Sequence, residues 1–245
     1  MSILEVRNIT KKDGENTVLD GVYFTVEDKG IYAILSKDVV GRTALAEVLS
    51  GCSFVDSGEV VYRDISVYSS NKHNCASKAK IGYVPRESFF FADMTVFEVL
   101  DFTGKMRGVS SNKRARQIKE SLEIVKLSSK YEVYVKELSP SEKKRLSLAN
   151  ALIGNPPMLV LDNPCESVSA NDSDMIKDIL KMIGSKKVIL LLTDRAGFAQ
   201  DVAMNVGILA NGKITLWDSM ENVKERYEGD NNFLVKAFVD FSAES

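Results

Sequence analysis

A short apolar run that ends in an aspartate, Met158 to Asp162 (MLVLD), constrains this chain more than any other segment. An apolar stretch so short and unbroken is typical of a strand buried on both faces, as in a parallel sheet. Open α/β sheets bind ligands at the carboxyl ends of such strands, where this one would release the Asp162 carboxylate. The segment therefore predicts an α/β fold with a ligand site beside Asp162.

The composition is that of an ordinary folded protein, and it excludes several functions. The chain has 245 residues, 44% of them apolar and 27% charged, which is enough to bury a core. Its net charge of −2 argues against nucleic-acid binding, because proteins that bind nucleic acid carry a basic excess. Three cysteines without CxxC spacing and one histidine argue against a zinc site and for reduced thiols in the cytoplasm. We expect neither a membrane span nor a signal peptide.

The pattern along the chain changes from strand to helix and back. Alternating apolar residues over 2–30, broken by turn residues, predict an antiparallel sheet region, and residues 58–68 predict a further strand. Residues 31–35 predict a buried strand, followed by a helix that begins at Gly41. From Ser88 to about residue 135 the pattern is helical and predicts an insert between two halves of a parallel sheet.

The segment 36–43 (SKDVVGRT) has the strand–loop–helix setting of a phosphate-binding loop, GxxxxGK[ST]. In such a loop backbone N–H groups wrap the phosphates, the lysine reaches the terminal phosphates and the hydroxyl binds Mg²⁺. Here Gly41 and Thr43 fit, whereas Ser36 replaces the first glycine and Arg42 replaces the lysine. The two valines inside the loop resist the positive φ that glycine adopts freely. Taken alone, this octet favours an ordinary strand–turn–helix.

Six segments in order nevertheless resemble the ATP-binding subunit of an ABC transporter, from residue 2 to about 217. They are 31–45 (the Walker A region), 81–86 (IGYVPR, leading to the Q-loop), 138–142 (LSPSE, the LSGGQ signature), 159–164 (LVLDNP, Walker B and the catalytic-glutamate position), 167–170 (the D-loop) and 193–194 (the switch-histidine position).

The resemblance implies a P-loop NTPase-like α/β fold with a mainly parallel sheet, an N-terminal antiparallel β region and a helical subdomain insert. It implies an ABC ATP-binding domain at residues 1–217, with the helical subdomain at about 88–135, and a short C-terminal extension at 218–245. The positions it assigns to nucleotide are Ser36, Lys37, Asp38, Gly41, Arg42, Thr43, Ala44 and Arg86; those for the metal are Thr43 and Asp162; those of the signature are Ser139, Pro140, Ser141 and Glu142.

Several positions depart from the family pattern. Asn163 stands at the catalytic-glutamate position, where it can orient a water molecule but cannot accept its proton. Asp194, at the switch-histidine position, brings negative charge toward the γ-phosphate, and Arg86 puts a cation at the Q-loop glutamine position. No aromatic residue near Asp13 is available to stack on adenine. We therefore expect no hydrolysis at this site and assign no catalytic residue.

Part of the machinery survives. Asp162 and Thr43 can still hold Mg²⁺, so we expect weak binding of ATP with Mg²⁺. Ser139 is retained in the signature, which in this family closes over nucleotide on the partner subunit. Pro140 removes an amide N–H there and Ser141 replaces a flexible glycine, so this contribution is impaired as well.

Three functions are compatible with these features. The first is a degenerate nucleotide-binding subunit, a pseudo-ATPase that couples to transmembrane permease subunits beside a second, competent ATP-binding subunit in a heterodimer. The second is an active ATP-hydrolysing subunit, and the third is a soluble regulatory or scaffold protein. The number of lost catalytic groups favours the first. It implies a cytoplasmic chain held at the inner face of the membrane by its partners.

Overall fold

The computed structural model describes residues 2–68 and 80–243, so Cys75 lies outside the described residues. In chain order the elements are β1 (Leu4–Asp13), β2 (Asn16–Val26), β3 (Gly30–Leu35), α1 (Val39–Ser50), β4 (Ser57–Tyr62), β5 (Ile65–Ser66), β6 (Ile81–Val84), α2 (Val96–Met106), α3 (Ser111–Ile124), α4 (Pro140–Leu152), β7 (Met158–Asp162), α5 (Ala170–Gly184), β8 (Val188–Thr193), α6 (Ala196–Val202), β9 (Asn205–Ala210), β10 (Lys213–Ser219), α7 (Met220–Arg226) and α8 (Phe233–Ala243).

The described strands form two sheets. One is antiparallel, in the order β2-β1-β4-β5, and the other has the order β10-β9-β3-β8-β7-β6. In the second sheet β9, β3, β8, β7 and β6 run parallel, and only β10 is antiparallel to its neighbour. Every residue of β7 is buried, as the unbroken apolar run predicts. The predicted α/β fold, with its N-terminal antiparallel region and helical insert, is confirmed.

Three predicted element bounds are wrong, each for a local reason. The helical insert starts at Val96 rather than Ser88, because Thr95 and Glu98 form a capping box there. The helix predicted from Gly41 begins two residues earlier, at Val39, because the Asp38 side chain caps it. The strand predicted over 58–68 divides into β4 and β5 at a turn whose two central residues have positive φ.

An aromatic stack joins the two sheets. The indole of Trp217 on β10 stacks on Phe24 of β2, with 4.5 Å between ring centroids, and lies 6.1 Å from the ring of Tyr32 on β3. Such contacts add to the apolar area that the rings bury. They fix the antiparallel sheet against the mainly parallel one, to which β3 belongs.

The parallel strands deliver their carboxyl ends to one edge of the sheet. There β3 leads through Ser36 into α1, β6 leads to Arg86, β7 ends at Asp162 and β8 ends at Thr193. Segments far apart in sequence therefore meet at this edge, which is where ligands bind in open α/β sheets.

The contact between β6 and α4 depends on a glycine. A Cβ on Gly82 would meet the backbone carbonyl oxygen of Ala151 and lie 2.5 Å from a methyl group of Leu159. We expect Gly82→Ala to destabilise the chain by about 1–3 kcal/mol, because neither neighbour can withdraw freely. Urea unfolding measures the loss. Gly197→Ala is the matched control, since a Cβ on Gly197 has no neighbour within 4 Å and should cost nothing.

Candidate functional site

The amino end of α1, which follows β3, is closed by a side chain of the loop itself. The two carboxylate oxygens of Asp38 accept hydrogen bonds from the backbone N–H groups of Val40, at 2.9 Å, and Gly41, at 3.0 Å. These are donors that a phosphate-binding loop would offer to a ligand. The residues with positive φ in the described chain lie outside the stretch 36–42, so this loop enters the helix directly.

The Arg42 side chain is fully buried beneath this loop. Its Nε donates to Asp162 Oδ1 at 3.2 Å, and one terminal nitrogen donates to the carbonyl oxygen of Ser36 at 3.1 Å. The same nitrogen lies 3.8 Å from the Asp194 carboxylate. The other terminal nitrogen has no hydrogen-bond partner among the described residues. Arg42 therefore joins the loop after β3 to the ends of β7 and β8.

Both oxygens of the Asp162 carboxylate are engaged. Oδ1 accepts from Arg42, and Oδ2 accepts from the Thr43 hydroxyl at 2.7 Å. Asp162 and Thr43 are the residues expected to hold Mg²⁺. In this structure the Thr43 hydroxyl donates its hydrogen bond to Asp162, and the Arg42 guanidinium is the cation that lies beside the Asp162 carboxylate.

This arrangement does not fit ATP with Mg²⁺, which the family implies. The Asp38 carboxylate takes amides that would contact phosphate, and the Arg42 guanidinium neutralises the carboxylate that would contact the metal. Both side chains would have to move before either ligand could enter. Among the described residues there is also no cluster of three or more His, Cys, Asp or Glu side chains that could hold a metal ion.

The remaining candidate residues of the phosphate-binding segment, Ser36, Lys37 and Ala44, lie in three different environments. Ser36 is buried, and its hydroxyl accepts a hydrogen bond from the backbone N–H of Asp38 at 3.2 Å. The Lys37 ammonium lies 5.5 Å above the ring of Phe238 on α8, so it faces the C-terminal helix. Ala44 lines an open cleft of about 840 Å³ together with Thr43.

That cleft covers the position expected for an adenine base. The segment Lys11–Asp13, where the stacking aromatic is missing, lines it, as do Val39, Val40 and Arg86. Phe89 also lines the cleft and is 87% exposed. The cleft therefore lies outside the Asp38 and Arg42 contacts, against the exposed side of the α1 amino end.

Arg86, at the Q-loop position, is held from two sides. Its guanidinium forms a bidentate ion pair with Glu166, with distances of 2.7 and 2.6 Å. Its carbonyl oxygen accepts a hydrogen bond from the ammonium of Lys144 on α4. The hydrogen bonds from Arg86 lower the pKa of the Glu166 carboxyl, and burial lowers the pKa of Lys144. These contacts fasten the segment after β6 to the segment after β7 and to the signature helix.

Asn163 is buried at the end of β7 in a left-handed conformation, with φ of 48°. Its side-chain oxygen accepts a hydrogen bond from the Thr193 hydroxyl at 3.0 Å, and its backbone N–H donates to the carbonyl oxygen of Leu192 at 2.8 Å. Asparagine tolerates this backbone conformation better than most residues. Asn163 thus connects β7 to β8, and Asp194 beyond it remains about half exposed.

The signature segment also closes on itself. Ser139 caps α4 by accepting from the Glu142 backbone N–H at 3.2 Å, and the Glu142 carboxylate accepts from the Ser139 backbone N–H at 2.8 Å. Lys130 lies 3.1 Å from that carboxylate. Pro140 occupies the first helical position and Ser141 is buried. The amino end of this helix therefore already carries an anion of its own chain.

Sequence analysis missed two partners in this network. Glu166, which pairs with Arg86, carries no motif of its own and lies 80 residues away from it. Thr193 appeared only as the neighbour of Asp194. The useful signal would have been the unusual arginine at position 86, because a guanidinium commonly forms a bidentate pair with a carboxylate.

The comparisons with known proteins agree with this fold. The family model described as "ABC transporter" matches residues 19–166. The chain is 30% identical to the sulfate/thiosulfate import ATP-binding protein CysA of Bradyrhizobium diazoefficiens, with 98% of this chain and 70% of that protein covered. It is 29% identical to the Nod factor export ATP-binding protein I of Burkholderia lata, over 86% of this chain and 68% of that protein.

Solved structures show the same fold. An ATP-binding subunit of an ABC transporter superposes with a TM-score of 0.85 at 17% identity, covering 98% of this chain and all of that one. A cassette in a post-hydrolysis state with ADP and phosphate gives 0.78 at 19% identity, over 89% and 98% of the two chains.

The chain belongs to the ABC transporter ATP-binding family. Proteins of this family bind ATP and Mg²⁺ and generally pair with transmembrane permeases. Within the described residues, none of the helices combines the length and the apolar character that a membrane span requires.

The pair of Arg42 and Asp162 can be tested by separating it. Arg42→Met should destabilise the chain by about 3–5 kcal/mol in urea unfolding, because Asp162 then stays buried without its cation. The double variant Arg42→Met with Asp162→Asn should lose less than the sum of the single changes. Arg116→Met, at an exposed helical ion pair, is the matched control and should have no measurable effect. An additive double variant would contradict the coupling.

The ion pair of Arg86 and Glu166 should make stability depend on pH. Because Glu166 has a lower pKa in the folded chain, its ionised form stabilises the fold above the ordinary value of 4.5, and this contribution is lost as pH falls through the lowered value. Arg86→Gln should therefore lower the urea midpoint at pH 7, with a difference that shrinks in acid. In a Glu166→Gln background the same change should have no such pH dependence.

Proposed function

We propose that this chain is a catalytically degenerate ATP-binding subunit of an ABC transporter, acting beside a competent ATP-binding chain and coupled to transmembrane subunits. The observation that carries the proposal is the environment of Asn163. Its amide stands where a proton acceptor is required, and its oxygen is already bound to Thr193. A water molecule beside Asp162 would meet a carboxylate whose two oxygens are already engaged.

The need for a second ATP-binding chain follows from the composite sites of this family. Two copies of this chain would combine two degenerate Walker sites with two signatures that carry Pro140 and an anionic Glu142. Transport driven by ATP then requires a heterodimer with a chain that supplies an intact site. The permease partners would hold this chain peripherally on the cytoplasmic face of the membrane.

Nucleotide binding by the chain itself is proposed to be weak. ATP with Mg²⁺ would have to displace the Asp38 carboxylate from two amides and the Arg42 guanidinium from Asp162. The missing aromatic residue near Asp13 removes a further contact, because stacking on a ring supports base binding. The chain would then contribute to assembly and coupling rather than to turnover.

Phosphate release by the purified chain tests the catalytic part of this proposal. With ATP and Mg²⁺ we expect no release above background from the wild type. We expect the same background rate of phosphate release from Asp162→Asn. Asp178→Asn changes an exposed residue on α5 and is the control, with the same expected rate. Release that disappears in Asp162→Asn and persists in Asp178→Asn would establish an active subunit instead.

The complex isolated from membranes tests the assembly part. Affinity purification through a tag on this chain should recover transmembrane subunits and a second ATP-binding chain, and that complex should hydrolyse ATP. Recovery of the chain without transmembrane subunits, in the fraction that does not sediment with membranes, would favour a regulatory or scaffold protein.

A further inference from the structure

We propose that the Walker site of this chain is held in place by two of its own side chains, with the Asp38 carboxylate where a phosphate would lie and the Arg42 guanidinium where the metal would lie. The site would then need no ligand to keep its conformation. This inference rests on the weak nucleotide binding proposed above and deepens it, whereas it stands or falls separately from the partners assigned there.

The first half of the inference rests on the amides of α1. The amino end of a helix attracts an anion, because its first N–H groups point outward and its dipole is positive there. Asp38 meets this demand with one oxygen on Val40 and the other on Gly41. A phosphate would have to take these donors away from a carboxylate and would meet like charge beside it.

Gly41 makes the close approach of Asp38 possible. A Cβ at this position would lie 2.5 Å from Asp38 Oδ2 and 3.2 Å from the carbonyl oxygen of Val18. The glycine that matches the phosphate-binding motif therefore has a use within the chain itself. It leaves room for the aspartate carboxylate, so its presence does not require a nucleotide.

The second half rests on Arg42. Its guanidinium is buried, with bonds to Asp162 and the Ser36 carbonyl and with Asp194 at 3.8 Å. The planar guanidinium of arginine carries several N–H donors, so it can contact several acceptors at once. An ammonium group is a compact point charge. Because Arg42 turns inward beneath the loop, its charge neutralises Asp162 and is not presented to the cleft.

The two contacts together pair the opposite charges of the site, and one terminal nitrogen of Arg42 is left without a hydrogen-bond partner among the described residues. The helix amino end has its anion and the buried carboxylate has its cation, and Thr43 occupies the second Asp162 oxygen. The cleft beside α1 remains open. The α1 amides that would contact a triphosphate are bound to Asp38, and the Asp162 carboxylate that would contact its metal is bound to Arg42.

Binding of ATP with Mg²⁺ to variants of the full chain tests this inference. The key variant is Asp38→Ser, which keeps a neutral helix cap and removes the anion. Asp178→Ser makes the same change of charge at an exposed position on α5 and is the matched control. For each protein, titration calorimetry gives the affinity, and urea unfolding with and without 5 mM ATP and Mg²⁺, a concentration of roughly cellular order, gives the stabilisation by ligand.

We expect ligand to leave the urea midpoint of the wild type and of Asp178→Ser unchanged. Asp38→Ser should bind at least about tenfold more tightly than the wild type, since the like charge is gone. Arg42→Lys added to Asp38→Ser should make binding depend on Mg²⁺. Micromolar binding by the wild type, or equal affinities for the wild type and Asp38→Ser, would overturn the inference. If Asp38→Ser does not fold, Asp38→Asn takes its place, and the wild-type affinity still decides.

Discussion

The buried pair of Arg42 and Asp162 is the contact on which the arrangement of this site depends. It joins the first turn of α1 to the end of β7, residues 120 positions apart in the chain, and both side chains are excluded from solvent. Removing either charge from water is costly, so such a pair is stable only when both partners and their remaining hydrogen bonds are present. The Ser36 carbonyl and the Thr43 hydroxyl supply two of those bonds, whereas one terminal nitrogen of Arg42 has no partner among the described residues.

Three side chains at the carboxyl edge of the sheet each have a polar partner at that edge. Arg42 has Asp162 and Asp194 as its carboxylate neighbours, Arg86 has Glu166, and Asn163 has Thr193. Arg42, Arg86 and Asn163 thus each have a partner at the same edge of the sheet. These pairings connect the ends of β3, β6, β7 and β8 at this edge of the sheet.

Much of the fold could be predicted from sequence, because its signals are local. The apolar run at 158–162 predicted a buried parallel strand, and every residue of that strand is buried in the structure. The start of α1 was missed by two residues, since the cap depends on where the Asp38 side chain turns. The pairing of Arg86 with Glu166 could not be predicted at all, because it arises only when β6 and β7 lie side by side.

The positive charge beside Asp162 belongs to a side chain of the protein itself, where a metal ion would otherwise supply it. A metal ion in such a place is an equilibrium ligand, whose occupancy falls when the protein is diluted or when a chelator competes for it. A guanidinium that is covalently attached to α1 cannot diffuse away, so its effective concentration beside Asp162 is set by the chain and not by the surroundings. The cation beside Asp162 is therefore present whatever the supply of free metal ions.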